Sequence, residues 1–544
     1  MTRKGGLLVA TGVLILGLIV WQFYKYKIAN RSINQAVTEN SGGLYTIHYE
    51  DLVIDEVGGS LHVKNIVIIP DTDVYNQMVR EKKNPSVLLR LNIPKLDITG
   101  VKTPKTLLNK ELEGGKIEIL NPTIEIELSN LSNDTTVDDP GKDISKELLG
   151  KLLKIQADSI HVSGANLVVR NRETQKIAFK ADNVSLLFTD LLIDSLTKND
   201  TSRILFSRQL DIACDEIQLP SKNRKYRLHI EKLGFTSRHN TFHIGSIRLI
   251  PQLSETEFAA SFPTQKDRYD FMLEGISLVN IDRGSLWHKR LVADSLIIEK
   301  SSFKIYRDIS YPGDSISRVG KYPQQQLMKL PVPILIKRAI ISRSFIEYKE
   351  KNAKSDSAGK VQFFDVYATI DHITNMKSAI AKDNKCTVLF RAKFLDKAPV
   401  DARLSLLLKD PSGKFSIEGN LGAIRAQSLN PLTQPMGLAR MDEGNIEKLH
   451  FKLKATDSSS SGKLVILYNG IKISLLKKDK NENKYDKKGL ASFAANILIK
   501  NSNPGGDGKT RTVDVHFRRA LNKSFFNVIW KSIFVGVKQN VGLK

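Results

Sequence analysis

Apolar residues recur in this chain at relative positions 0, 2, 7 and 9, and the pattern occurs four times. The sets are Ile117, Ile119, Ile124 and Ile126; Ile160, Val162, Leu167 and Val169; Leu296, Ile298, Phe303 and Ile305; and Ala339, Ile341, Ile346 and Tyr348. A spacing of two puts side chains on one face of an extended strand. The residues between the pairs read Leu-Asn-Pro-Thr, Ser-Gly-Ala-Asn, Glu-Lys-Ser-Ser and Ser-Arg-Ser-Phe. Most are turn formers, so each set reads as strand–turn–strand with one apolar face. Glu118 and Glu125 mark the opposite, polar face of the first set.

A longer repeat contains this one. Tyr45–Pro70 aligns without gaps to Tyr226–Pro251, matching Tyr45 with Tyr226, His48 with His229, Glu50 with Glu231, His62 with His243 and Pro70 with Pro251. After a two-residue slip the match continues from Ile117–Ile126 to Leu296–Ile305, a duplication of about 80 residues. Stacked repeats bury one continuous apolar surface. The expected fold is mainly β, an elongated and twisted antiparallel sheet built from repeats. Two packings satisfy the alternation. In an open trough, the four sets line a groove; in a closed sandwich, the apolar faces meet.

Gly5–Tyr24 is a run of 20 uncharged, mostly apolar residues flanked by Arg3-Lys4 and by Lys25, Lys27 and Arg31. As a helix it spans roughly 30 Å, the thickness of a bilayer core. Trp21, Phe23 and Tyr24 occupy its downstream end, where aromatic rings favour the interface. The chain continues Trp-Gln-Phe-Tyr-Lys, without the small residues of a signal-peptidase site, so an uncleaved anchor is expected. The organisation that follows is a cytoplasmic tail (1–4), a transmembrane signal anchor (5–24), a linker (25–43), a duplicated β-repeat region (44–310), a C-terminal β-region (311–500), and a final strand with an amphipathic helix (501–544). Polar loops are expected at Asn130–Asp143, Lys351–Gly359 and Asp479–Lys488, a short helical stretch at Ile144–Leu153, and a last strand at Thr512–Phe517.

The 82 Lys+Arg against 58 Asp+Glu give a net charge of +24, but the basic residues are scattered, as on solvated strand faces. No nucleic-acid partner is expected. Cys214 and Cys386 are too few for a disulfide framework or a four-thiolate metal site, and their pairing stays open.

No catalytic set emerges. His239-Asn-Thr-Phe-His243 has the spacing of two zinc ligands on a helix but lies in a strand pattern and lacks the zincin glutamate. Gly508-Lys509-Thr510 resembles the end of a phosphate-binding loop, with Asn503 where its first glycine must stand. The acidic pairs Asp71/Asp73 and Asp138/Asp139 fall in polar, turn-like segments. A non-enzymatic protein without a cofactor or metal is expected. In the tail, Phe526, Ile529, Trp530, Ile533, Phe534, Val537 and Val541 follow helical spacing, with Ser524, Asn527, Lys531 and Lys538 opposite. That helix either caps the sheet or docks, through Phe526, Trp530 and Phe534, on a membrane or partner.

The anchor, the strand repeat and a C-terminal segment together resemble the AsmA-like family, relatives of the TamB-type bridge proteins. The segment comprises Gly413–Leu421, Leu429-Asn430-Pro431-Leu432, Glu443-Gly444-Asn445-Ile446, and Ser461–Asn469 ending in Tyr-Asn, then Ile471–Leu476. The resemblance implies a single-pass inner-membrane protein, mostly periplasmic. It also implies a β-groove that carries phospholipid for outer-membrane biogenesis or homeostasis, with an outer-membrane or envelope protein as a further partner. The groove lining would be Ile117, Ile119, Ile124, Ile126, Ile160, Val162, Leu167, Val169, Leu296, Ile298, Phe303, Ile305, Ile341 and Ile346. The rivals are a structural or regulatory envelope scaffold with a closed β-core and a surface-attached hydrolase.

Overall fold

The computed structural model describes residues 33–55, 57–101, 111–129, 153–194, 196–197, 200, 202–353, 357–478, 485–487 and 500–542. The expected anchor, the loop Asn130–Asp143 with Asp138/Asp139, and the stretch Ile144–Leu153 up to its last residue lie outside the described residues. No helix among the described residues is long and apolar enough to cross a membrane. Within the expected linker, Ile33–Asn40 is helical.

The chain is mainly β. It divides into two units, residues 1–245 with 286–288, and residues 246–285 with 289–544, the division falling inside one strand. The first unit holds β1 (Tyr45–Asp55), β2 (Ser60–Pro70), β3 (Val87–Thr99), β4 (Glu111–Leu120), β5 (Thr123–Leu128), β6 (Lys154–Asn171), β7 (Ile177–Ile193), β8 (Ser207–Pro220) and β9 (Tyr226–Thr236). Consecutive strands pair antiparallel from β1 to β3 and from β6 to β9. β4 and β5 lie end to end, antiparallel to β3 and parallel to β6.

β10 (Thr241–Pro251) carries the division. The second unit continues with β11 (Asp267–Val279), β12 (Leu291–Asp308), β13 (Ile334–Lys351), β14 (Gly359–Thr374), β15 (Lys385–Phe394), β16 (Ala398–Leu407), β17 (Phe415–Leu421), β18 (Ile424–Arg425), β19 (Ala439–Ala455), β20 (Ser459–Lys478), β21 (Tyr485–Lys487) and β22 (Thr512–Arg518). β12 and β13 are parallel, and the other strand pairs among the described residues of this unit, from β11–β12 to β20–β22, are antiparallel. β21 falls inside the expected loop Asp479–Lys488, where it pairs with the end of β20.

Strand bounds extend the duplication beyond its sequence match. β1, β2, β3, β4, β6 and β7 begin at residues 45, 60, 87, 111, 154 and 177; β9 to β14 begin at 226, 241, 267, 291, 334 and 359, a shift of 180–182 residues. A short capped helix follows the second strand in each copy. Asp71 accepts from the backbone N–H groups of Asp73 and Val74, and Ser254 forms a capping box with Glu257. The Asp71/Asp73 pair is thus a helix cap and its first turn.

The strand–turn–strand expectation needs correction. β6, β12 and β13 each run 18 residues through the supposed turn without reversing. Apolar pairs five residues apart would point to opposite faces of a regular strand, so each strand needs an irregularity between them. Backbones with positive φ mark many of these places: Asn121 (50°), Gly164 (68°), Asn183 (52°), Gly275 (63°), Arg343 (46°) and Asp365 (47°). Pairing registers slip beside Ala165 and Ser344. At Gly164 a Cβ would stand 2.1 Å from Asn121 Oδ1, so glycine serves both the backbone angle and the close approach.

The main packed core of the second unit lies near its C-terminal end, around Tyr322, Phe415, Leu453, Leu464, Val515 and Phe525. Tyr468, the tyrosine of the Tyr-Asn motif, is 1% exposed. Its hydroxyl donates to Lys500 O (2.7 Å) and accepts from Arg511 (3.1 Å), tying β20 to the segment before β22. Tyr468→Phe removes those bonds and leaves the Lys500 carbonyl short of a donor. We predict a loss of about 1–3 kcal/mol in denaturant unfolding, and an unchanged midpoint would refute this role for the hydroxyl.

Candidate functional site: two apolar faces and an aromatic helix

The four sequence sets meet in two pairs, each pair parallel and in register. On β4, β5 and β6, Ile117, Ile119, Ile124 and Ile126 lie beside Ile160, Val162, Leu167 and Val169. On β12 and β13, Leu296, Ile298, Phe303 and Ile305 lie beside Ala339, Ile341, Ile346 and Tyr348. Flanking strands widen each face. In the first unit Leu91, Leu96 and Ile98 of β3 stand opposite one edge, and Phe179, Leu186 and Phe188 of β7 opposite the other. In the second, Phe271, Ile276 and Leu278 of β11 and Phe363, Ala368 and Ile370 of β14 do the same. These flanking residues lie outside the repeated 0, 2, 7, 9 spacing, although the strand alternation carries them.

The two faces differ in closure. Ile119, Ile126, Val162 and Val169 are at most 3% exposed, and Ile124 and Leu167 are also buried. Ile117 and Ile160 are half-buried. In the second unit Leu296, Ile298, Ile305, Ile341 and Ile346 are only half-buried, as are Phe271 and Leu278. Phe303 is 38% exposed, with its ring 5.6 Å from that of Phe271. Ser301 donates to Ser344 Oγ (2.6 Å) where β12 and β13 bend, pairing the polar groups buried at that point. The reverse of this second face carries ion pairs beside apolar groups: Lys300 pairs with Glu274 (3.0 Å), Arg338 with Asp371 (2.6 Å), and Lys304 stands opposite Glu347, while Ile297, Ile340 and the buried Tyr306 share that side. At one end of the apolar face Arg307 donates to both Asp267 oxygens (2.6 and 2.8 Å). Burial, then the Asp267 carboxylate, pushes the neighbouring Tyr269 hydroxyl up to about 12.

Other residues singled out in the sequence do not assemble. His239 sits in the turn between β9 and β10, and His243 is exposed on β10. No cluster of three or more metal-ligating residues occurs among the described residues. Gly508-Lys509-Thr510 leads from a turn into β22, a strand. Cys214 and Cys386 are both free and buried, and burial pushes each thiol up to about 11, which keeps it protonated at neutral pH.

The tail forms a helix over Phe525–Asn540, with Ser524 at its N-cap. Its most buried side is rotated from the large-residue stripe read from the sequence, of which Val541 is buried. Phe525, Val528, Ser532, Gly536 and Asn540 face inward. The Ser532 and Ser460 hydroxyls are hydrogen-bonded, and Asn540 donates to Arg511 O (2.9 Å). A Cβ on Gly536 would come within 2.8 Å of Val515 Cγ2 and 2.9 Å of Leu464 Cδ1, so small residues set the close approach. Ile529, Trp530, Ile533 and Val537 pack partly against the core, while Phe526 and Phe534 are exposed. The helix therefore packs on the sheet and still presents aromatic rings outward.

No family model matches this chain, and no curated protein matches it.

The difference in closure predicts unequal responses to charge. Ile126→Asp places a carboxylate in a sealed site and should cost about 3 kcal/mol or more. Ile298→Asp leaves the carboxylate access to water and should cost roughly 1–2 kcal/mol. Denaturant unfolding of the two variants decides, and equal losses would contradict the contrast.

Proposed function

We propose that this is a non-enzymatic, membrane-anchored protein that binds or conveys phospholipid along an apolar β-face. Its anchor would be Gly5–Tyr24 in the inner membrane, with most of the chain in the periplasm, where it would support outer-membrane biogenesis or homeostasis. The observation that carries the reading is the half-open face of β11–β14. It is apolar across adjacent strands, backed by the ion pairs Lys300–Glu274 and Arg338–Asp371, and left partly uncovered at Phe303. Such a surface suits acyl chains, because each methylene taken out of water contributes about 0.8 kcal/mol. The resemblance to AsmA-like proteins points the same way.

A second reading, a non-catalytic envelope scaffold with a closed β-core, is favoured by the sealed face of the first unit. The two readings part on bound lipid. The full chain, extracted in mild detergent and washed, should carry phospholipid detectable by mass spectrometry. Phe303→Asp should lower that amount severalfold while thermal unfolding changes little. A parent protein that carries no phospholipid under these conditions would favour the scaffold.

A further inference from the structure

Between β12 and β13 the chain must return along the length of a parallel pair, and it does so as a strap, Ile309–Pro333. The strap is tied to the C-terminal tail. Arg318 N–H donates to Leu521 O (2.7 Å), Arg318 Nε to Asn522 O (2.8 Å), and Asn522 Nδ2 to Asp314 O (2.7 Å). Inside, Tyr322 of the strap stacks edge-on with Phe525 (5.0 Å), whose ring touches that of Phe526 (5.5 Å). These bonds join two distant segments that carry apolar side chains: Ile316 and Val319 on the strap, Leu521, Phe526 and Phe534 on the tail. All are exposed, Phe526 by 69% and Phe534 by 41%. Trp530 stacks on Phe534 (6.4 Å between centroids, 22° between planes).

The surrounding charge is one-sided. Between Lys500 and Gly542 there are eight Lys or Arg, all but the buried Arg519 reaching the surface, and two exposed Asp. Lys531 is exposed and lies 5.5 Å over the Phe534 ring. The strap carries Arg318, Lys321 and Lys329 and a single acid, Asp314. That carboxylate is inward, held by Lys266 (3.3 Å) and Arg318 (3.2 Å), which keep it below the usual carboxylate range against the effect of burial. Aromatic rings set among lysines, with no outward carboxylate on the strap, match the interface of an anionic bilayer. The rings enter the headgroup boundary and the ammonium groups meet lipid phosphates.

We infer that the strap and the C-terminal helix together form a docking surface for an anionic lipid bilayer. The surface adjoins one end of the half-open apolar face. Gln265 and Lys266, which hold the strap at Pro312 and Asp314, immediately precede β11, where Tyr269 stands opposite Ile305. Docking here would bring a bilayer to the end of that face. The inference stands on the patch alone and does not require that the face carry lipid.

The test uses the full chain held in nanodiscs, floated with vesicles of phosphatidylcholine alone or with roughly one-third phosphatidylglycerol. The parent should be captured by the phosphatidylglycerol vesicles, with capture weakening at high salt. F526D/F534D should reduce capture about tenfold, and K523Q/K531Q should remove much of the salt dependence. Phe526→Ser, a milder change at the most exposed ring, should weaken capture without affecting thermal unfolding. Phospholipid carried by the washed, detergent-extracted chain before it enters nanodiscs reports on the β-face and should be unchanged in all three variants, which separates failure of docking from failure of lipid carriage. Capture that is absent in the parent, equal on both vesicle types, or untouched in the variants would overturn the inference. So would self-association of the parent that F526D/F534D abolishes in place of vesicle binding.

Discussion

Side chains on a strand alternate faces at every residue, and the rest of this architecture depends on how that rule is locally broken. Apolar pairs separated by five residues share one face only if the backbone gains or loses a step between them. Positive-φ residues at Asn121, Gly164, Gly275 and Arg343 supply such steps. With the break in place, β12 and β13 each run 18 residues and keep Ile298 and Phe303, or Ile341 and Ile346, on the same side. Without it, half of each set would turn to the reverse of the sheet.

The same irregularity explains why related sets sit side by side. Ile117 pairs with Ile160 and Leu296 with Ala339, a separation of 43 residues in both cases. In the first unit parallel pairing puts one positive-φ step beside the other, Asn121 next to Gly164. Such pairing requires a long return connection, and in the second unit that connection is the strap that ties Arg318 to the tail and carries Tyr322 into the C-terminal core. A local rule about faces thereby produces a long-range tie, from residue 318 to residues 521 and 522.

Much of this was legible in the sequence. The alternation gave the β class, the spacing gave the equivalent positions, and the tail and last strand fell where their patterns placed them. Three features were not legible. Turn formers such as Ser-Gly-Ala-Asn suit a bulge as well as a reversal, and only pairing partners distinguish them. The inner side of the tail helix was hidden because Ser532, Gly536 and Asn540 are chosen for close approach, whereas a hydrophobic count favours Phe526 and Phe534. Closure was hidden as well. Ile126 and Ile305 occupy equivalent repeat positions, yet one is sealed and the other half-covered, because burial depends on what lies across the face.

The central claim is that the face bearing Phe303 meets acyl chains in the cell. Phe303 and Lys304 are adjacent on β12 and lie on opposite faces of the sheet, so they form an internal comparison with nearly the same backbone position. A photoreactive phenylalanine analogue at each position, irradiated in intact cells and followed by mass spectrometry of the purified chain, tests the claim directly. The account predicts phospholipid adducts at position 303 and none at 304. Equal labelling at both positions, or no lipid adduct at 303, would contradict it.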